Sequence, residues 1–189
     1  MPLVVEDQTF KGINYTDTGF PSGDYEQCWF VNCNFANVDL SAINFLDCNF
    51  EQCDLSMAKM KKTALKTVTF KGCKMLGINF GECMAFLLRL DFEDCLLNHA
   101  SFYQLKLKST KFKNCKLIGA DFVESDLSQS LFEHCDLTDA VFEKTLLEKA
   151  DLRSAFNFTI DPELNEIKAA RFSLASLPGL LDKYRIEIE

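Results

Sequence analysis

Large apolar residues recur at every fifth position along most of the chain. Each is Phe, Leu or Met. The residue two positions earlier is mostly small or β-branched, and the positions between are mostly polar. The repeat shifts once by two residues and then continues. The large positions are Phe30, Phe35, Leu40, Phe45, Phe50, Leu55, Met60, Leu65, Phe70, Met75 and Phe80 before the shift, and Leu87, Phe92, Leu97, Phe102, Leu107, Phe112, Leu117, Phe122, Leu127, Phe132, Leu137, Phe142, Leu147 and Leu152 after it.

A period of five fits neither an α-helix nor a straight strand. On a helix, residues five apart differ by about 140° and form no continuous face. On a strand, an odd spacing alternates between the two faces. The pattern therefore predicts a chain that turns a corner every five residues and points two side chains of each stretch inward. Four glycines lie two residues after a large one, where a tight bend favours positive φ: Gly12, Gly72, Gly77 and Gly119. The expected fold class is all-β, a β-solenoid with one apolar core.

The cysteines suggest packing and not chemistry. All nine occupy the small inward position: Cys28, Cys33, Cys48, Cys53, Cys73, Cys83, Cys95, Cys115 and Cys135. Because the chain has no CxxC motif and only two histidines, we expect small apolar thiols, no metal and no cofactor. The odd count, with no signal peptide and no membrane-spanning run, indicates a cytoplasmic protein. No catalytic motif is present, so no catalytic residue is predicted and the protein is expected not to be an enzyme.

Three segments follow from where the repeat is strong. Residues 1–24 carry it weakly and are expected to form an irregular cap or first coil, and residues 25–156 form the regular solenoid with a two-residue register slip at 81–86. The slip is expected to be a bulge that leaves Phe86 near the surface. Residues 157–189 are predicted to form a last partial coil, a short helix and a strand at 186–188, with Ser176 as the helix N-cap and Pro178 in its first turn.

This C-terminal tail is more apolar than a cap alone requires. We expect it to make a homodimer through a two-fold interface. The residues predicted to form that interface are Leu177, Leu180, Leu181, Tyr184, Ile186 and Ile188.

The net charge of −8 is distributed unevenly. Residues 1–56 contain nine acids and one base, whereas residues 57–80 contain six lysines and no acid. One interpretation is a solvated surface that keeps a rod soluble. The other is an acidic surface that attracts a basic protein site, one that normally holds DNA, while the chain itself binds neither nucleic acid nor membrane. The candidate partner-binding acids are Asp39, Asp54, Asp121, Glu124, Asp126, Asp136 and Asp139.

Repeats such as Ala120-Asp121-Phe122 and Ala150-Asp151-Leu152 resemble those of the pentapeptide-repeat family. The resemblance implies a right-handed quadrilateral β-helix with 20 residues per coil, so that roughly seven coils give a rod about 34 Å long. On that geometry, residues 20 apart stack along the axis. The core residues expected to stack are Cys33, Phe35, Cys53, Leu55, Cys73, Met75, Cys95, Leu97, Cys115, Leu117, Cys135 and Leu137.

Other segments resemble the branch that contains the albicidin-resistance and quinolone-resistance proteins. They are Cys73-Lys74-Met75-Leu76-Gly77, Ile160-Asp161, Ile167-Lys168, Ala170-Arg171-Phe172-Ser173-Leu174 and Ile186-Glu187-Ile188. This resemblance implies a dimeric, non-enzymatic DNA mimic that binds DNA gyrase or topoisomerase IV and modulates or protects it, with tolerance to quinolone- or albicidin-type drugs. The alternative is a scaffold or regulatory β-solenoid that binds an unrelated partner.

Overall fold

The protein is a solenoid of short parallel strands. The computed structural model describes residues 3–187. The strands are β1 (Leu3–Glu6), β2 (Thr9–Lys11), β3 (Gly23–Glu26), β4 (Trp29–Val31), β5 (Asn44–Leu46), β6 (Asn49–Glu51), β7 (Ala64–Lys66), β8 (Val68–Lys71), β9 (Leu90–Glu93), β10 (Lys111–Lys113) and β11 (Leu131–Glu133). All strand pairs are parallel and the chain makes about seven turns, which confirms the predicted quadrilateral β-helix.

The four faces of each coil are numbered in chain order. Face one carries the sheet β1-β3-β5-β7, and face two carries β2-β4-β6-β8-β9-β10-β11. Faces three and four are held by isolated bridges such as Asn34↔Asp54 and Asp39↔Lys59. The first six coils comprise residues 3–22, 23–42, 43–62, 63–82, 83–104 and 105–124.

The core is a continuous column of side chains from the large and small inward positions. Phenylalanines of successive coils stack face to face on face two, with ring centroids 5.1 Å apart for Phe92 and Phe112 and 4.9 Å apart for Phe112 and Phe132. Rings on the opposite faces two and four meet edge to face, as Phe112 and Phe122 do. The residues for which stacking was expected are all buried: Cys33, Phe35, Cys53, Leu55, Cys73, Met75, Cys95, Leu97, Cys115, Leu117, Cys135 and Leu137.

The corners use a left-handed backbone. The residue two after each large one has a φ of 51° to 63° at most corners, although few of these residues are glycine. Asn37 is an example: the N–H of Val38 donates to the Phe35 carbonyl at 3.0 Å and closes the turn around it. Such a conformation costs an ordinary residue about 1 kcal/mol or more, and the packed core on either side holds it in place.

The register slip is a bulge at residues 84–88. Strand partners elsewhere are 20 residues apart, but Phe70 pairs with Phe92, so the fifth coil is two residues longer. Phe86 is 69% exposed, as expected from the sequence. The prediction that Leu87 points inward was wrong, because Leu87 is 63% exposed and has a φ of 59°. Leu88 packs against the core instead, since the bulge absorbs both extra residues before the chain returns to the face.

Both ends differ in detail from the expected segments. At the N-terminus, β1 and β2 pair in register with β3 and β4, so the first coil has the strands of the coils that follow. The tail contains a 3-10 turn (Leu174–Ser176), the helix α1 (Pro178–Leu181) and a second 3-10 turn (Asp182–Tyr184).

Two details of the predicted tail were wrong. Ser176 is not the N-cap of α1, because it forms a capping box with Ser173 around the preceding 3-10 turn, and Leu177 takes the N-cap position. The strand expected at 186–188 is not seen: Ile186 and Glu187 are not in a strand, and Ile188 lies outside the described residues.

Candidate functional site

Most of the predicted partner-binding acids have a role in the turns. An Asp that precedes a large inward residue accepts a hydrogen bond from the backbone N–H two residues later. The Oδ1 atom of Asp39 accepts from Ser41 N at 2.9 Å, and that of Asp54 accepts from Ser56 N at 2.9 Å. The same bond is made by Asp121, Asp126 and Asp136. The hydrogen bonds from Ser41 hold the pKa of Asp39 below its ordinary value.

The structure does not bring the seven acids together on one surface. Face four carries Asp39 and Asp121, with Glu124 at its corner. Face three carries Asp54 and Asp136, with Asp139 at its corner. Face one carries Asp126.

Two of the seven acids already have cationic partners. Lys74 Nζ lies 3.2 Å from Asp54 Oδ2, and Lys144 Nζ lies 3.7 Å from Glu124 Oε1. Burial raises the pKa of Asp54, but hydrogen bonds from Ser56 and Lys74 outweigh it and leave the pKa below its ordinary value. These two carboxylates therefore carry less uncompensated charge than the sequence suggests.

The strongest acidic surface lies on the first three coils, and most of its residues were not among those seven. Its nine acids spread over all four faces, and Lys11 is the one base before residue 57. Among residues 3–187, Asp54 is the only one of the nine that makes a salt bridge. We call this the acidic end, and it comprises Glu6, Asp7, Asp17, Asp24, Glu26, Asp39, Asp47, Glu51 and Asp54. The charge count of residues 1–56 was the signal that pointed to it.

A ring of lysines follows the acidic end. Lys59, Lys61 and Lys62 lie on face four and its corner, Lys66 on face one, Lys71 on face two and Lys74 on face three. The basic stretch seen in the sequence therefore encircles the rod and separates the acidic end from the rest of the surface.

The tail covers the C-terminal end of the solenoid and leaves apolar side chains exposed. Lys183 Nζ lies 2.7 Å from Asp161 Oδ1 and 2.8 Å from Glu163 Oε2, which ties the tail to the last coil. Gly179 packs so closely that a Cβ atom there would lie 2.2 Å from the Phe158 carbonyl oxygen.

Of the predicted dimer residues, some are exposed and others are held by the rod. Leu177, Tyr184 and Ile186 are exposed, Leu180 and Leu181 are partly buried, and Ile188 lies outside the described residues. Leu174, which was not among the predicted dimer residues, is 87% exposed beside them.

The cysteine thiols lie inside the core. All nine are free and buried. Burial raises the pKa of Cys48 to about 12 and that of Cys83 to about 12. In the part of the chain that the structure describes, no group of three or more His, Cys, Asp or Glu side chains is arranged to hold a metal ion. Within residues 3–187, no helix has the length and apolarity needed to cross a lipid bilayer.

Comparison with solved structures shows the same fold along the whole rod. Two trypsin-treated variants of QnrB1, described as a plasmid-mediated fluoroquinolone resistance protein, are similar to this chain at 18% sequence identity. One variant superposes with a TM-score of 0.64 over 99% of this chain and 100% of its own, and the other with 0.62 over 100% of both. No curated protein sequence matches this chain significantly.

The repeat itself also matches a family model. The model of the pentapeptide repeat region matches residues 23–85, 43–122 and 85–172, which together span most of the chain. These matches cover the coils whose inward Phe, Leu and Met residues form the core. The chain belongs to the pentapeptide repeat family.

Proposed function

We propose that this protein is a non-enzymatic DNA mimic that binds a type II topoisomerase, DNA gyrase or topoisomerase IV, and modulates or protects it. The proposal extends to tolerance of quinolone- or albicidin-type drugs. It draws on the fold that the chain shares with QnrB1 over its full length and on the charge of the acidic end. It also includes a homodimer joined through the C-terminal tail, with the two acidic ends outermost.

The charge density of the acidic end is the observation that carries the proposal. Residues 3–56 make nearly three coils, which at about 4.8 Å per coil occupy about 13 Å of the rod axis. Nine acids and one base in this length give a net charge of −8. That is about one negative charge per 1.6 Å, close to the value of about 1.7 Å for duplex DNA. A protein groove that binds DNA by phosphate charge therefore meets a similar field here.

A supercoiling assay with purified gyrase and topoisomerase IV, with and without a quinolone, tests the proposal. We expect the protein to change supercoiling or drug-stabilised cleavage at micromolar concentration, and the effect to weaken as salt increases, because the attraction is electrostatic. The double variant Asp17→Asn with Glu51→Gln removes two charges of the acidic end and should weaken the effect. The control variant Glu143→Gln with Glu166→Gln removes two exposed acids from the other half and should not.

Two results would count against the proposal. If neither enzyme responds at any concentration, the protein is better explained as a scaffold for an unrelated partner. If both double variants weaken the effect equally, general negative charge is responsible and the acidic end is not the contact surface.

A further inference from the structure

One column of outward side chains on face one segregates its charges. The residue that follows the large inward residue is Glu6, Glu26, Leu46 and Lys66 in coils one to four, each paired in register with the next. Arg89 continues the column in coil five, because its N–H donates to the Leu65 carbonyl at 3.2 Å. The column therefore changes along the rod from acidic, through one apolar residue, to basic.

This arrangement places like charges side by side. Glu6 and Glu26 occupy adjacent rungs, as do Lys66 and Arg89, at a spacing of about 4.8 Å. Like charges directly opposite one another on neighbouring strands destabilise a sheet. None of these four side chains makes a salt bridge within residues 3–187.

The equivalent column on face two is built differently. Its residues alternate in sign, from Glu51 to Lys71, Glu93, Lys113 and Glu133. Lys71 Nζ lies 3.5 Å from Glu93 Oε1, and Lys113 Nζ lies 3.7 Å from the same oxygen. On face two, acidic and basic side chains therefore neutralise one another within one molecule. On face one, the acidic half and the basic half of the column each remain able to pair with a surface of opposite charge.

Exposed apolar residues on face one are placed evenly on either side of the third coil, as the opposite charges of the column are. Leu3 and Val4 are exposed in coil one, and Met84 and Phe86 are exposed in the bulge of coil five. Leu46 lies between them in coil three, partly buried. Apolar groups thus occur in the first, third and fifth coils.

We propose that face one binds face one of a second copy of this chain. A two-fold axis that runs along the strands at coil three maps coil one onto coil five and coil two onto coil four. Each residue of the column then meets a residue of the same column. Glu6 faces Arg89 of the second copy, Glu26 faces its Lys66, and the two Leu46 side chains meet on the axis. Leu3 and Val4 face the bulge of the other molecule. The interface is self-complementary, as a two-fold interface requires.

The contact is short and lies far from the tail. Five coils extend over about 19 Å, so the buried area is small and the association is weak, dependent on concentration and on salt. Because the tail lies at the C-terminal end of the rod, beyond coils one to five, neither interface blocks the other.

Sedimentation velocity of the full-length chain at low and high salt tests this association. Every protein in the test carries Leu177→Arg, so that the tail contributes nothing. We expect the parent protein to dimerise at low salt and to dissociate at high salt. Glu26→Lys and Lys66→Glu should each weaken the dimer by about tenfold or more, since each change opposes like charges across the axis. Lys108→Glu is the matched control: it follows Leu107 on the same face but lies in coil six, beyond the overlap, and should have no effect.

A mixing experiment gives the decisive result. The variants Glu6→Lys with Glu26→Lys and Lys66→Glu with Arg89→Glu should each be monomeric, and an equimolar mixture should form a heterodimer. Circular dichroism of each variant confirms that it is folded. The proposal is overturned if the parent stays monomeric at low salt, if the control weakens the dimer as much as the column variants do, or if the mixture stays monomeric.

Discussion

Replacing Phe112 by Leu tests whether the stacked rings stabilise the rod beyond filling its interior. Phe112 is fully buried, and its ring stacks between those of Phe92 and Phe132 at 5.1 and 4.9 Å. Leucine is smaller by about 25 Å³, and a cavity of that size costs about 0.6 kcal/mol. The two stacked pairs contribute about 0.5–1.5 kcal/mol each beyond burial. We therefore expect Phe112→Leu to lower the free energy of unfolding by about 2–3 kcal/mol.

Urea unfolding followed by circular dichroism measures this loss. The slope of the free energy against urea must match that of the wild type, because a repeat protein can lose cooperativity and unfold in parts. The control is Phe86→Leu, the same replacement on an exposed side chain, which should cost less than about 0.5 kcal/mol. A loss below about 1 kcal/mol for Phe112→Leu would refute the reasoning, since cavity formation alone would then account for it.

Three further outcomes are expected. Ala42→Gly should raise the free energy of unfolding by about 0.5 kcal/mol in urea, because Ala42 has a φ of 59°, whereas Ala36→Gly, at a position without positive φ, should lower it. A thiol reagent at pH 8 should label no cysteine of the native protein rapidly and all nine after denaturation, because the thiols are buried; rapid native labelling would contradict this. Lys183 holds the pKa of Asp161 below its usual 3.8, so the contact stabilises the tail above that pH and is lost as pH falls through the lowered pKa. The protection factors of the tail amides, which are the exchange rates corrected for their intrinsic pH dependence, should fall over that acidic range, and Lys183→Ala should remove this fall.

Periodicity was sufficient to predict the core but not the details of the bulge. Outside the bulge, each large inward residue lies five residues after the previous one, so the repeat alone predicts which residues are buried. At the slip, Leu87 and Leu88 are both leucines, and the repeat gives no reason to prefer one. In the structure, Leu87 adopts the left-handed backbone and Leu88 packs against the core.

The candidate surface was harder to predict because a periodic spacing does not by itself show which face a residue occupies. Asp54 and Asp121 hold equivalent places in their repeats but lie on different faces. Their carboxylates also close turns, a role that accounts for an Asp or Asn before a large residue without any partner. The charge count of residues 1–56 indicated the acidic end, whereas the segregated column on face one became visible only when the strand register placed Glu26 between Glu6 and Leu46.

Because one turn takes 20 residues, the direction in which a side chain points around the rod axis depends on how many residues precede it. Removing one whole coil would shorten the rod and leave every later side chain pointing as before, whereas removing five residues would keep the interior filled but rotate everything downstream by a quarter turn. The bulge at 84–88 avoids such a rotation, because Phe92 still stands directly above Phe70. Insertions that loop outward are therefore tolerated at corners, while a change of one repeat reorients the tail relative to the acidic end.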